Sequence, residues 1–473
     1  MSRNVADALW ELLHAAGVRR CYGIVGDALN PTIDALRRNG GVEFVHVRHE
    51  EYGGFAAVAD AYLTGDPVAI CGTAGPGVTH LINAMIDAAE YVTIFGGDGC
   101  REAHDDVVAL AKKLKAPVGY TFRGKQYLEY DNPNAVGMTG LIGFGGAHRA
   151  MHDADLLLLL GTDFPFSEFL PDHAVKKVQV DRVAKHLGRR TPIDLGLVGN
   201  VKDTAAALLT LVAEKTKTKH LDSALAKTRE WYDSLNHYVK RGPSLRPIRP
   251  EYLVATLDRL ADDDAFFGID TGTPCIWAAR YLRAHAKRSI FGSFTWASMA
   301  SAAPNAMGAQ LASPGRQTIA LSGDGGFTML GLGDMLTLVE RKLPVVVVVF
   351  NNGSLDFVRI EQQEAGVVPF GTDFQNPNFA MVAQAMGAKG IRLEDPADVE
   401  DALREALAHR SGPVVLDAVV DPYALSIPAH VPLHTAAGFT LSAWKQIANG
   451  HPGLVIEEIK HNLDLVKSPG LRP

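Results

Sequence analysis

Gly323-Asp324-Gly325 and Asn351-Asn352 stand with 25 residues, 326–350, between them. A carboxylate and a carboxamide together offer oxygen ligands. Such ligands suit Mg²⁺ or Ca²⁺, and a Mg²⁺ with few protein ligands usually holds phosphates. The glycine turn follows an apolar run, 318–321, and the asparagine pair follows another, 343–350. Residues 327–342 between them read as a helix. Two parallel strands then end at one edge of a sheet, which in open α/β sheets is where ligands bind. Gly97-Asp98-Gly99 has no asparagine pair at that distance and reads as a structural turn, since Asp98 would repel a phosphate.

Other residues could take part in the same chemistry. Glu50 opens a helix rich in small residues (Gly53, Gly54, Ala56, Ala57). Small residues allow close packing, and burial there raises a carboxyl pKa. An acid at a helix start can equally face water, favoured by the helix dipole. That description suits Glu51, which stays as the alternative to Glu50. Gly72-Thr73-Ala74-Gly75-Pro76-Gly77 lies between a strand and a helix, where Gly75 and Gly77 let backbone approach a ligand. In the middle of the chain, Gly161-Thr162-Asp163-Phe164 follows the strand 156–160, and Asp181 ends the next strand. A glycine turn followed about 20 residues later by a strand-end acid suits a dinucleotide with its ribose on the acid. Gly137, Thr139 and Gly140 would add backbone donors. The glycine pattern is not a GxGxxG fingerprint.

Three blocks of alternating strands and helices must position these groups, the mark of α/β domains. The expected boundaries are 1–88, 89–235 and 251–430, with a linker at 236–250 carrying three prolines and a tail at 431–473. The length of 473 residues agrees with about three domains. A hydrophobic content of 47% with 21% charged residues is globular, and a net charge of −7 without a basic cluster argues against nucleic acid. The four cysteines are far apart and read as reduced thiols of a cytoplasmic protein. The first 18 residues read as an amphipathic helix rather than a signal peptide, and no apolar run is long enough to span a membrane.

Gly-Asp-Gly, this spacer and Asn-Asn resemble the thiamine-diphosphate motif. Arg123-Gly124-Lys125, 130–134, 137–143, 277–282 and 350–358 are similar to the bacterial pyruvate oxidase and quinone-linked pyruvate dehydrogenase family, in order along almost the whole chain. The resemblance implies three doubly wound parallel-sheet domains: pyrimidine-binding, central flavin-binding and diphosphate-binding. It implies that Asp324, the Asn352 side chain and the Ser354 carbonyl hold Mg²⁺ on the diphosphate, beside Gly325 and Gly326. Glu50 is implied as the carboxyl that hydrogen-bonds the aminopyrimidine ring. Met299 is implied as the prop that bends the cofactor, with Ala297 and Ser298 beside it and the Ala297 carbonyl toward the pyrimidine amine. Phe357 matches an active-site aromatic, and the central block resembles the FAD domain. The implied reaction is oxidative decarboxylation of pyruvate to acetate and CO₂, with electrons passing through FAD to a quinone or oxygen in a homodimer or homotetramer. An acetolactate synthase-like carboligase is the alternative.

Two features depart from that family. The first block runs almost directly from 81–88 into the opening of the flavin domain at 89–92, so on the order of 100 residues, a small domain's worth, has no counterpart. A catalytically silent relative is therefore a further alternative. The tail carries Val455, Ile459, Leu463 and Val466 near helical spacing. In the family such a tail docks peripherally on the inner face of the cell membrane. Its other face here is mixed in charge, which a membrane-surface helix does not prefer, and favours a packed or loose terminal helix.

Overall fold

The computed structural model describes residues 4–73, 76–425, 433–449 and 452–467. Its contacts divide the chain into two compact units. One comprises Met1–Gly124, Asn132–Val136 and Arg149–Leu225, and the other comprises Lys125–Asp131, Gly137–His148 and Ala226–Pro473.

The first sheet holds three parallel strands, β1 (Arg20–Gly23), β2 (Glu43–His46) and β3 (Ala69–Cys71), in the order β2-β1-β3. The N-terminal helix Val5–Ala15 is closed by a capping box between Asn4 and Asp7 and buries Trp10. Trp10 packs with Val18, Cys21, Ala35 and Leu36 into a small core of its own. The helix Pro76–Ala88 then reaches the next strand in three residues. Those three are fastened: Lys215 donates to the Ala89 carbonyl at 2.6 Å, and the Glu90 and Tyr91 amides donate to Asp155 at 2.9 and 2.8 Å.

The second sheet contains β4 (Val92–Gly96), β5 (Val118–Tyr120), β6 (Ala135–Met138), β7 (Phe144–Gly145), β8 (Leu156–Leu160), β9 (Lys176–Asp181) and β10 (Leu195–Val198). Its order is β10-β9-β8-β4-β5-β6-β7, with β10, β9, β8, β4 and β5 parallel and the β6–β7 hairpin antiparallel. At the ends of β4 and β8 two backbones touch. A Cβ on Gly99 would stand 2.6 Å from the Gly161 Cα, and one on Gly97 would stand 2.6 Å from the Gly161 carbonyl oxygen. Gly97-Asp98-Gly99 is thus a structural turn, as its isolation in the sequence implied.

The third sheet contains β11 (Phe266–Ile269), β12 (Ser289–Gly292), β13 (Thr318–Gly323), β14 (Val345–Asn351), β15 (Lys389–Leu393) and β16 (Val414–Val419), all parallel, in the order β12-β11-β13-β14-β16-β15. Every residue of β14 is buried. That is why its sequence is a run of valines rather than an alternation: helices cover both faces. Val345, Val347 and Val349 share one core with Phe327, Leu338 and Phe379.

Two expectations change. The stretch 236–250 is not irregular from its start, because a helix runs Lys219–Arg241 and the extended segment narrows to a few residues before the helix Pro250–Leu260. The terminal helix Pro452–Lys467 packs through only part of the apolar stripe among the described residues. Val455 is buried, but Ile459 is exposed, and the side chains of Leu463 and Val466 lie outside the described residues. Its buried face is polar instead: Asn462 donates to the Tyr423 carbonyl at 2.6 Å, and Glu458 meets Arg359 at 3.4 Å. Among the described residues no helix is long and apolar enough to cross a membrane.

Arg359 also pairs with the buried Asp356. Burial nevertheless pushes the Asp356 carboxyl up to about 6 from its ordinary 3.8, with Arg359 opposing the shift. The folded chain then binds more protons than the unfolded chain between these values, so stability falls as pH rises from about 4 to about 6. Asp356→Asn should flatten that part of the stability profile, read by chemical denaturation at stepped pH. Gly99→Ala should lower stability by about 1–3 kcal/mol through overpacking against Gly161, visible as a lower melting temperature with the far-UV spectrum retained.

Candidate active site

β13 and β14 pair in parallel with Gly323 opposite Phe350, so Asp324 and Asn351 leave the sheet side by side. The Asp324 side chain is 2% exposed. One of its oxygens accepts from the Gly325 amide at 2.8 Å. The other accepts from the amides of Asn352 and Gly353 at 2.9 and 2.7 Å and from Asn376 Nδ2 at 2.8 Å. Among the described residues no lysine, arginine or histidine forms an ion pair with it. Burial raises its pKa, and the amide donors oppose that rise. A desolvated carboxylate surrounded by neutral dipoles is what a metal ligand looks like before its cation is counted.

The two asparagines divide the work. Asn351 points inward, donating to Asp417 at 2.9 Å and accepting from Asn376 at 2.9 Å. Asn352 is half-buried, and its Oδ1 is engaged only by the Ser354 amide within its own turn, at 3.1 Å. Gly353 makes that turn possible, with φ at +68°. Ser354 is buried and donates its hydroxyl to Asp373 at 3.1 Å. Asp324 and the Asn352 turn are thus adjacent at the strand ends, joined by the Asn352 backbone amide. The oxygen donor set fits Mg²⁺, which keeps waters and phosphate oxygens in its remaining positions.

The loop 293–301 lies against the glycine turn. A Cβ on Gly326 would stand 2.6 Å from Asp270 Oδ2 and 3.1 Å from the Ala300 amide, and one on Gly325 would stand 3.6 Å from Met299 Cε. Asp270, 1% exposed at the end of β11, anchors this loop. It accepts from the Ser301 amide at 2.7 Å and the Ser322 hydroxyl at 2.6 Å. Ala297 and Ala300 both have positive φ, 53° and 63°. Two strained alanines in one loop are a cost that recurs at ligand clamps. Met299 is half-buried, whereas Ala297 and Ser298 are exposed. Phe357 sits in the first turn of the helix Asp356–Glu364, half-buried.

Glu50 is the first residue of the helix Glu50–Thr64 in the other unit, with His49 as its cap. Its carboxylate lies 3.4 Å from His80 Nδ1 on the helix Pro76–Ala88, and its side chain is 12% exposed. A Cβ on Gly77 would come within 2.8 Å of Glu50 Oε1, so the glycine makes room for the acid. Glu51 is held apart from Glu50 by Asn83, at 2.6 Å. Gly75 lies outside the described residues.

The expected dinucleotide residues have other engagements. Asp163 is gripped by Arg189 and Arg190. Phe164 is buried against Phe95 and Phe166. Gly161 serves the contact with Gly97 and Gly99, and the Thr162 carbonyl accepts from Gln179 at 3.2 Å. Asp181 does end β9, accepting from the Val183 amide at 2.8 Å and facing His186 at 3.2 Å. Gly137 and Gly140 have positive φ, with Gly137 in the β6–β7 hairpin, and buried Thr139 meets His148 at 3.3 Å. Sequence reasoning missed Asp270, Asn376, His49 and His80. The first two carry no local motif, because their partners stand 25 to 52 residues away. The histidines flank recognised residues in the sequence and could have been read from them.

Comparison with known proteins agrees with this arrangement. The N-terminal, central and C-terminal TPP-binding domains of thiamine pyrophosphate enzymes match residues 3–93, 80–208 and 270–418. The chain is 28% identical over 553 positions to the Bacillus subtilis protein YdaP, named as containing thiamine pyrophosphate, covering 93% of this chain and 95% of that one. It is 25% identical to the pyruvate oxidase of Lactiplantibacillus plantarum, covering 87% and 88%. It is 30% identical to an acetolactate synthase of Mycobacterium bovis, covering 71% of this chain and 56% of that one. Since 93% of 473 residues is about 440, roughly 113 of the 553 positions aligned with YdaP have no residue of this chain opposite them. The first two domain matches overlap at 80–93, where the sequence reading placed the shortened junction. With all three domains matched in order, and an acid–asparagine clamp at the strand ends of the third sheet, the chain belongs to the thiamine pyrophosphate enzymes.

Proposed function

We propose that this chain decarboxylates pyruvate oxidatively to acetate and CO₂, using thiamine diphosphate and Mg²⁺, and passes the electrons through FAD to a quinone or oxygen. The observation that carries the reading is the buried Asp324 carboxylate, which lacks a cationic partner among the described residues and accepts from the Asn352 backbone amide. Thiamine diphosphate, when bound, supplies the electron sink for decarboxylating a 2-oxo acid.

The chain's own residues do the rest. Asp324, the Asn352 side chain and the Ser354 carbonyl would hold the cation, with Gly325 and Gly326 beside the diphosphate. Met299, resting against Gly325, fixes the cofactor's bend as a positioning effect. Glu50 holds a proton at the pyrimidine ring, in a space that Gly77 leaves open. Phe357 contributes an aromatic wall. Glu50 and Asp324 belong to different units, and a homodimer or homotetramer supplies both halves of each site. FAD would use Asp181 and the glycines at 137, 140 and 161. The pyruvate oxidase relative supports this choice of substrate. The acetolactate synthase relative favours a second reading, a carboligase in which any flavin stays idle.

The purified chain with pyruvate, thiamine diphosphate, Mg²⁺ and FAD should release CO₂ and reduce a quinone analogue. Asp324→Ala should abolish Mg²⁺-dependent cofactor binding, followed by fluorescence quenching. Glu50→Gln should keep that binding and lose about 10²–10⁴ in rate, the span of a lost proton-handling group. Acetolactate without flavin bleaching would select the carboligase. Absence of any turnover would select the catalytically silent relative, in keeping with the shortened first sheet.

A further inference from the structure

Among the described residues, one group places three histidine, cysteine, aspartate or glutamate ligand atoms within 4.8 Å of one another: His49, Glu50 and His80. The cap and first residue of one helix supply two of them, and a neighbouring helix supplies the third. The His49 and His80 rings lie 4.3 Å apart between centroids at 33°. His80 Nδ1 and Glu50 Oε2 are already 3.4 Å apart. Ligands sharing a tetrahedral zinc stand about 3.3 Å apart, given metal–ligand bonds of about 2 Å. That pair therefore meets zinc spacing as it stands, and a His49 ring nitrogen lies within 4.8 Å of both.

The donor set decides which cation. Two imidazoles and one carboxylate suit Zn²⁺ and its late first-row neighbours, whereas Mg²⁺ prefers oxygen. Glu51 is not a competing ligand, since Asn83 holds it. His49 Nδ1 accepts a long 3.3 Å bond from the Glu51 amide, a weak attachment that coordination can replace. Three protein ligands leave a fourth position open for water or an anion.

We propose that His49, Glu50 and His80 bind a borderline divalent cation of the Zn²⁺ type, and that the bound metal occupies the Glu50 carboxylate and so switches the site off. The binding stands on the geometry alone. The inhibition rests on the reading of Glu50 given under Proposed function.

The full chain, stripped with a chelator and free of thiamine diphosphate, is titrated with Zn²⁺ by calorimetry, and with Co²⁺ for visible ligand-field bands. We expect one Zn²⁺ per chain and intense bands of low-coordinate Co²⁺. His49→Ala and His80→Gln should each weaken affinity at least about tenfold, while Asp324→Ala leaves it unchanged. His80→Gln keeps a hydrogen-bond donor for Glu50 but removes an imidazole, so it separates coordination from simple hydrogen bonding. Melting curves confirm that the variants fold. Absence of saturable binding, or binding that the histidine variants leave intact, overturns the site. In turnover assays Zn²⁺ should slow the wild-type chain and spare His80→Gln. Equal inhibition of both overturns the switch. A wild-type chain inactive without zinc refutes the functional reading, while the calorimetry still judges the site.

Discussion

A carboxylate taken out of water must be compensated, and the fold of the C-terminal half follows from how this is done at Asp324. Four hydrogen-bond donors converge on it, three from backbone and one from Asn376. The dipoles reduce the cost of burial without cancelling the charge. The strand pairing that sets Gly323 opposite Phe350, the left-handed Gly353 and the glycines flanking the acid are all needed to bring those donors in. The buried valine strand β14 then serves as a rigid mount, and rigid elements hold a site more precisely than loops.

Much of this was legible in the sequence because the relevant signals are local. Strand ends, the glycine turn and the asparagine pair all sit within short windows, and the parallel pairing follows from a strand–helix–strand spacing. Less legible were residues whose partners are distant. Asp270 looks like any strand-end acid until Ser301 and Ser322 fold onto it, and Asn376 lies in a segment with no periodicity. The tail's polar contacts were hidden for the same reason. An apolar stripe at helical spacing suggested one face, but Arg359 and Tyr423 offer polar partners, and the helix turned Glu458 and Asn462 inward instead. The expected flavin residues show a related ambiguity: a glycine at a strand end serves equally for ligand approach and for backbone contact, as Gly161 does with Gly99.

The first sheet, whose β2 precedes the helix that Glu50 opens, has three strands among the described residues. Glu50 and its neighbours are nonetheless organised: the helix cap, Gly77 and His80 enclose the carboxylate from both helices.

The junction at residues 89–91 leads into the second sheet. Lys215 and Asp155 grip the carbonyl and amides there, all from within the central α/β unit. The start of β4 is thus held by groups downstream of it in the chain. Residues 89–91 form a fastened joint: the strand that follows is anchored at its first residues by groups that come later in the chain.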